Sequence, residues 1–124
     1  MRLMPDLTPA ADRTAATGED IWLLRRRDVT VAEFVITGSD FPWLHANVRP
    51  RAGFRELRRL FDDELRLLDH LDADYAAWER AYTRIRRAVS LIAPDGDAVP
   101  EFLLHIDGQE AWWRWSDEPF PPQR

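Results

Sequence analysis

Val99–Asp117 reads VPEFLLHIDGQEAWWRWSD, two alternating runs on either side of Asp107–Gly108. Asp-Gly is a strong sign of a two-residue hairpin, because both residues tolerate φ > 0. The stretch therefore predicts two antiparallel strands. Whichever turn register is taken, alternation places Phe102, Leu104, Ile106, Ala111, Trp113 and Trp115 on one face. Glu101, Leu103, His105, Glu110, Trp112 and Arg114 fall on the other. The first face is the expected core. The second, half polar and half aromatic, is expected to stay open to water or to a partner.

Upstream, Ser90 onward reads as a further strand, with Pro94–Asp95–Gly96–Asp97 as a tight turn, although the helical period before it runs on through 88–93. Joined to the hairpin, this strand would make a three-strand meander. Ala52–Leu71 places Phe54, Leu57, Phe61, Leu65 and Leu68 at helical spacing, with no good capping residue at its start. Tyr75, Trp78, Tyr82, Ile85 and Val89 repeat on one face of a second helix that Asp72 or Asp74 can cap. The short linker makes the two helices antiparallel neighbours. Arg80, Arg84 and Arg87 form a basic row on the second helix, and Asp62, Asp63, Glu64 and Asp69 an acidic group on the first. Ion pairs or solvated faces account for both rows more simply than a phosphate stripe.

Nearer the start, Ile21–Arg26 and Thr30–Thr37 form a first hairpin with Arg25, Arg26 and Arg27 crowded at its tip. Gly38–Pro50, GSDFPWLHANVRP, is broken by two prolines and reads as an aromatic-bearing loop. The fold expected is α+β in the order ββααβββ, an antiparallel sheet of four to five strands with two antiparallel helices on one face. Residues 1–18 read as a flexible arm, 19–118 as a single α+β domain, and 119–124 as a Pro-rich tail. In that tail Pro119, Pro122 and Arg124 happen to match a short proline-ligand pattern.

The 124 residues are 45% hydrophobic and 31% charged, ordinary for one globular domain, and no apolar run approaches the roughly 20 residues of a membrane span. There is no cysteine, hence no disulfide, thiol nucleophile or thiolate metal site, and no apolar stretch of a secretory signal. A cytoplasmic setting is the expectation. All 17 basic residues are arginine, which removes lysine chemistry. The net charge of −5 disfavours nucleic acid as a partner, since phosphate contacts need a concentrated positive footprint.

FLLHIDGQEAWWRWSDEPF at 102–120, with PDG at 94–96 and GSDFPW at 38–43, resembles a conserved family of small actinobacterial proteins. The resemblance spans roughly residues 20–120. It brings no activity, cofactor or catalytic residue with it, and the absence of lysine suits such a source.

Two constellations stand out. His105 lies opposite or diagonal to Glu110 and Trp112, with Glu101 near Arg114, and Ser90 would face Glu101 if its strand joined the meander. That makes a conceivable nucleophile, base and orienter. A cross-strand ladder of charges and rings explains the same residues without chemistry. The three histidines lack metal-ligand spacing and no glycine-rich phosphate loop exists, so no metal and no cofactor are expected. Six tryptophans exceed what the core needs. The reading is a protein-binding or self-associating module, its partner a protein or a second copy, with Trp43, Glu101, His105, Trp112 and Arg114 as contacts. The alternative is a small hydrolase or isomerase with His105 as general base, helped by Glu110 or Glu101 and with Ser90 as nucleophile.

Overall fold

A computed structural model describes residues 21–118. The expected N-terminal arm and the Pro-rich tail lie outside the described residues. Strands β1 (Ile21–Arg26), β2 (Val29–Asp40) and β3 (Trp43–Pro50) come first, then helices α1 (Arg55–Leu68) and α2 (Tyr75–Ala88). Strands β4 (Ser90–Ile92), β5 (Glu101–Asp107) and β6 (Glu110–Ser116) complete the chain. The six strands form one antiparallel sheet in the order β4-β1-β2-β3-β6-β5. The α+β class and antiparallel sheet are as expected. The order is βββααβββ rather than ββααβββ, and the sheet has six strands rather than four to five.

The extra strand is the stretch expected to be a loop. Pro42 sits in the turn before β3 and Pro50 at its end, so the two prolines bound a strand instead of breaking one. Between them Ala46 and Val48 are buried while His45, Asn47 and Arg49 are exposed, an alternation muted in sequence by the small Ala46. β3 then pairs with both β2 and β6, which makes it the splice between the two hairpins.

A second correction concerns β4. It pairs with β1 at the far edge, Ser90 opposite Arg25, so Ser90 does not face Glu101 and the three-strand meander does not form. The Pro94–Gly96 turn and Pro100 carry the chain from one edge strand to the other. On the way Val99 N–H donates to the Leu91 carbonyl at 3.0 Å, drawing the two edges together so that the sheet bends nearly into a barrel.

The β5–β6 hairpin turns on Gly108–Gln109, with Asp107 opposite Glu110 and Gly108 at φ 63°. Positive φ at the first turn position alone is the geometry that favours glycine there. As alternation requires, Phe102, Leu104, Ile106, Ala111 and Trp113 are buried, packed with Trp22, Leu24 and Phe34. Trp113 is fully enclosed, 5.4 Å from the Trp22 ring and 5.1 Å from Phe34. Trp115 departs from the expectation and is 40% exposed, because it lies at the end of β6.

The helices form as their spacing predicts. Asp74 caps α2 by accepting from the Ala77 N–H at 3.0 Å, and α1 has no side-chain cap. Their placement is different. Rather than lying on one face, they brace the outer edge of β5. The Tyr82 hydroxyl donates to the Phe102 carbonyl (2.6 Å) and accepts from the Leu104 N–H (3.0 Å), occupying backbone groups that β6 leaves unpaired. An edge strand covered in this way cannot recruit another strand. Leu57 and Phe61 of α1, with Ile85 of α2, join the core.

Candidate functional site

Because α1 crosses the edge of β5, its buried stripe serves both faces of the sheet. Leu57 and Phe61 reach the core, and one turn later Glu64 reaches His105 on the opposite face. Glu64 is completely buried, and His105 is 3% exposed. The His105 Nδ1 lies 3.0 Å from the carboxylate, and the Trp78 indole N–H donates to Glu64 Oε2 at 2.6 Å. Glu64 thus accepts from two rings at once, and the carboxylate fixes which nitrogen of His105 carries its proton. A buried carboxylate without such donors would cost several kcal/mol.

Aromatic rings cover the other side of the pair. Trp112, directly opposite His105 on β6, lies 5.5 Å from it ring to ring. Trp43 reaches across β6 from β3 to within 5.9 Å. Both tryptophans are half-exposed, as are Leu103 and Arg114 around them. Beyond Trp43, the β2–β3 turn presents Phe41 at 96% exposure. A shallow cleft of about 190 Å³ adjoins Trp112, lined also by His45, Asn47 and Glu110.

Of the residues singled out from sequence, Trp43, His105 and Trp112 come together. Glu101 and Arg114 share the face, but Glu101 is committed to Arg86 of α2 at 3.2 Å. Three expectations are corrected. His105 does not lie on an open surface but beneath two tryptophans. Its carboxylate is Glu64, not Glu110 or Glu101; Glu110 is exposed beside Asp107 and Asn47. Ser90 is on the opposite edge strand, so the nucleophile, base and orienter are not assembled. Of the acidic group on α1, Asp63 pairs with Arg66 of its own helix at 3.0 Å, and Asp62 and Asp69 are exposed, within the expectation of ion pairs or solvated faces.

Sequence reasoning missed Glu64, Trp78 and Tyr82. A signal for Glu64 was present, a carboxylate at the spacing 57, 61, 64, 68 within an apolar stripe. Burial of Tyr82, its largest influence, pushes its phenol well above the usual tyrosine range. Among the described residues no group of three or more His, Cys, Asp or Glu could hold a metal ion, and no helix is long and apolar enough to cross a membrane.

Fold and site together define an α+β protein with a nearly closed antiparallel sheet, a helical hairpin along one edge and a tryptophan-covered histidine outside. No family model, curated protein or solved structure matches the chain.

Proposed function

We propose that the protein is an association module that pairs with a second copy of itself through the face carrying Trp43, Trp112, Leu103, Arg114 and Phe41. The observation that carries this reading is the pair of half-buried tryptophans packed over His105, whose ring is itself anchored by the buried Glu64 carboxylate. Rigid aromatics that need no further ordering are the residues that dominate association energies. Two features favour a second copy as occupant. The face bears both signs, with Glu33 paired to Arg49 and Arg51 and Glu110 exposed on the same side, so a two-fold contact between identical patches can set opposite charges against each other. The edges of the sheet are engaged by Tyr82 at β5 and by the 97–99 segment at β4, which leaves face-to-face contact rather than strand addition. The cytoplasmic setting expected from composition belongs to the same proposal.

Sedimentation equilibrium of the full chain tests it. The wild type should be dimeric and Trp112→Ala and Phe41→Ser monomeric; because the Phe41 side chain is almost wholly exposed in the single chain, Phe41→Ser should match the melting temperature of wild type diluted until it too is monomeric. A monomeric wild type, or dimers unaffected by both substitutions, overturns the reading.

A further inference from the structure

A second feature, remote from the tryptophans in both sequence and role, lies where the β1–β2 turn meets the end of α2. A cleft of about 680 Å³ opens there, lined by Arg26, Arg27, Arg86, Arg87, Val89 and Ser90 among others. Four arginines line it, two from the first hairpin and two from the last turn of α2. Two are already neutralised, Arg26 by Glu56 at 2.6 Å and Arg86 by Glu101 at 3.2 Å. Arg27 and Arg87 have no carboxylate partner among the described residues. Arginines in the last turn of a helix balance its dipole, which accounts for Arg86 and Arg87. It does not account for Arg26 and Arg27, which arrive from a hairpin.

Arg27 is also the one non-glycine residue at positive φ among those described, at 58°. Glycine takes that conformation freely, whereas any residue with a Cβ crowds the following carbonyl, so an arginine there holds its side chain at a local cost. We infer that the cleft binds a dianionic phosphate group, Arg27 and Arg87 supplying planar pairs of N–H donors and the Ser90 hydroxyl a further one. Guanidinium geometry matches phosphate oxygens bidentately, and the paired glutamates hold Arg26 and Arg86 as fixed walls. Local charge, not the net charge of the chain, decides such a site.

The test is titration of the full-length protein with inorganic phosphate, followed by the arginine side-chain N–H resonances, at constant ionic strength with chloride as control. A parallel arm measures co-sedimentation with vesicles containing phosphatidic acid. Saturable shifts confined to the cleft are expected. Arg27→Gln and Arg87→Gln should each weaken binding about tenfold or more, and Arg59→Gln, on exposed α1 surface, should leave it unchanged. Binding to inorganic phosphate alone indicates a soluble phosphorylated ligand, and vesicle binding lost in the same two variants indicates a lipid headgroup. No saturation in either arm, or equal weakening by Arg59→Gln, overturns the inference.

Discussion

The sheet face at His105 and the hairpin tip at Arg27 hold their polar side chains by opposite means. At His105 the polar groups face inward: Glu64, itself fully buried, accepts from two rings, and the tryptophans close over them. At the hairpin tip Arg27 and Arg87 are exposed and have no acid partner among the described residues, and the backbone at Arg27 is in a costly conformation. The first arrangement stabilises the fold and presents a rigid surface as a by-product. In the second, Arg27 occupies a backbone conformation that glycine would hold at lower cost. A polar cluster that stability explains gives weak evidence for a ligand, while one that stability opposes gives stronger evidence.

Four substitutions would break or sharpen that contrast. The greatest effect is expected from Glu64→Ala, which strands the Trp78 and His105 donors and opens a void. Urea unfolding should show a loss of about 3–5 kcal/mol. A loss below about 1 kcal/mol would mean that water reaches the pair, and would return His105 to consideration as a general base.

Next comes Tyr82→Phe, which leaves the Phe102 carbonyl and Leu104 N–H facing an apolar ring, for about 1–3 kcal/mol. The same variant has a pH signature. Burial raises the folded-state value of this phenol above the ordinary value of about 10, so above that pH the unfolded chain releases a proton that the folded chain retains. Stability is therefore full below about pH 10 and declines as pH rises beyond it. That decline should be shallower in Tyr82→Phe, and identical alkaline limbs in the two proteins would place the hydroxyl in water.

At the other region the sign reverses. Arg27→Gly should raise stability by up to about 1 kcal/mol by relieving the positive φ, while removing a phosphate contact. A destabilised Arg27→Gly would show that the arginine supports the fold after all. Smallest of all is Arg87→Gln, expected to stay within about 0.5 kcal/mol of wild type by thermal unfolding. A larger loss would assign Arg87 to the helix end instead of the cleft.

The hairpin parity shows how much of the site was legible. Phe102, Leu104, Ile106 and Trp113 announced themselves by alternation, and the same alternation put His105 and Trp112 together on the other face. That face was expected to be open, and Glu64 is why it is not. A two-residue period says which side a residue faces but nothing of what another element brings to that side. The strand β3 was hidden for a related reason: prolines were read as breaks although one falls in a turn and one at a strand end. Likewise the arginine triplet at the hairpin tip was visible, but its meeting with Arg86 and Arg87 depends on β4 joining β1.

What the chain settles locally are most of the elements themselves: the Asp107–Gly108 turn region, the capped helix beginning at Asp74, the first hairpin, and the alternating sets of Phe102–Ile106 and Ala111–Trp113. These follow from dihedral preferences and side-chain periods that act over a few residues. Strand order, the helices' choice of an edge over a face, the burial of Glu64 against His105 and the convergence of four arginines were decided only when distant segments packed. Contacts separated by tens of residues depend on which arrangement buries the most apolar surface while leaving no polar group unpaired, and no local pattern encodes that sum.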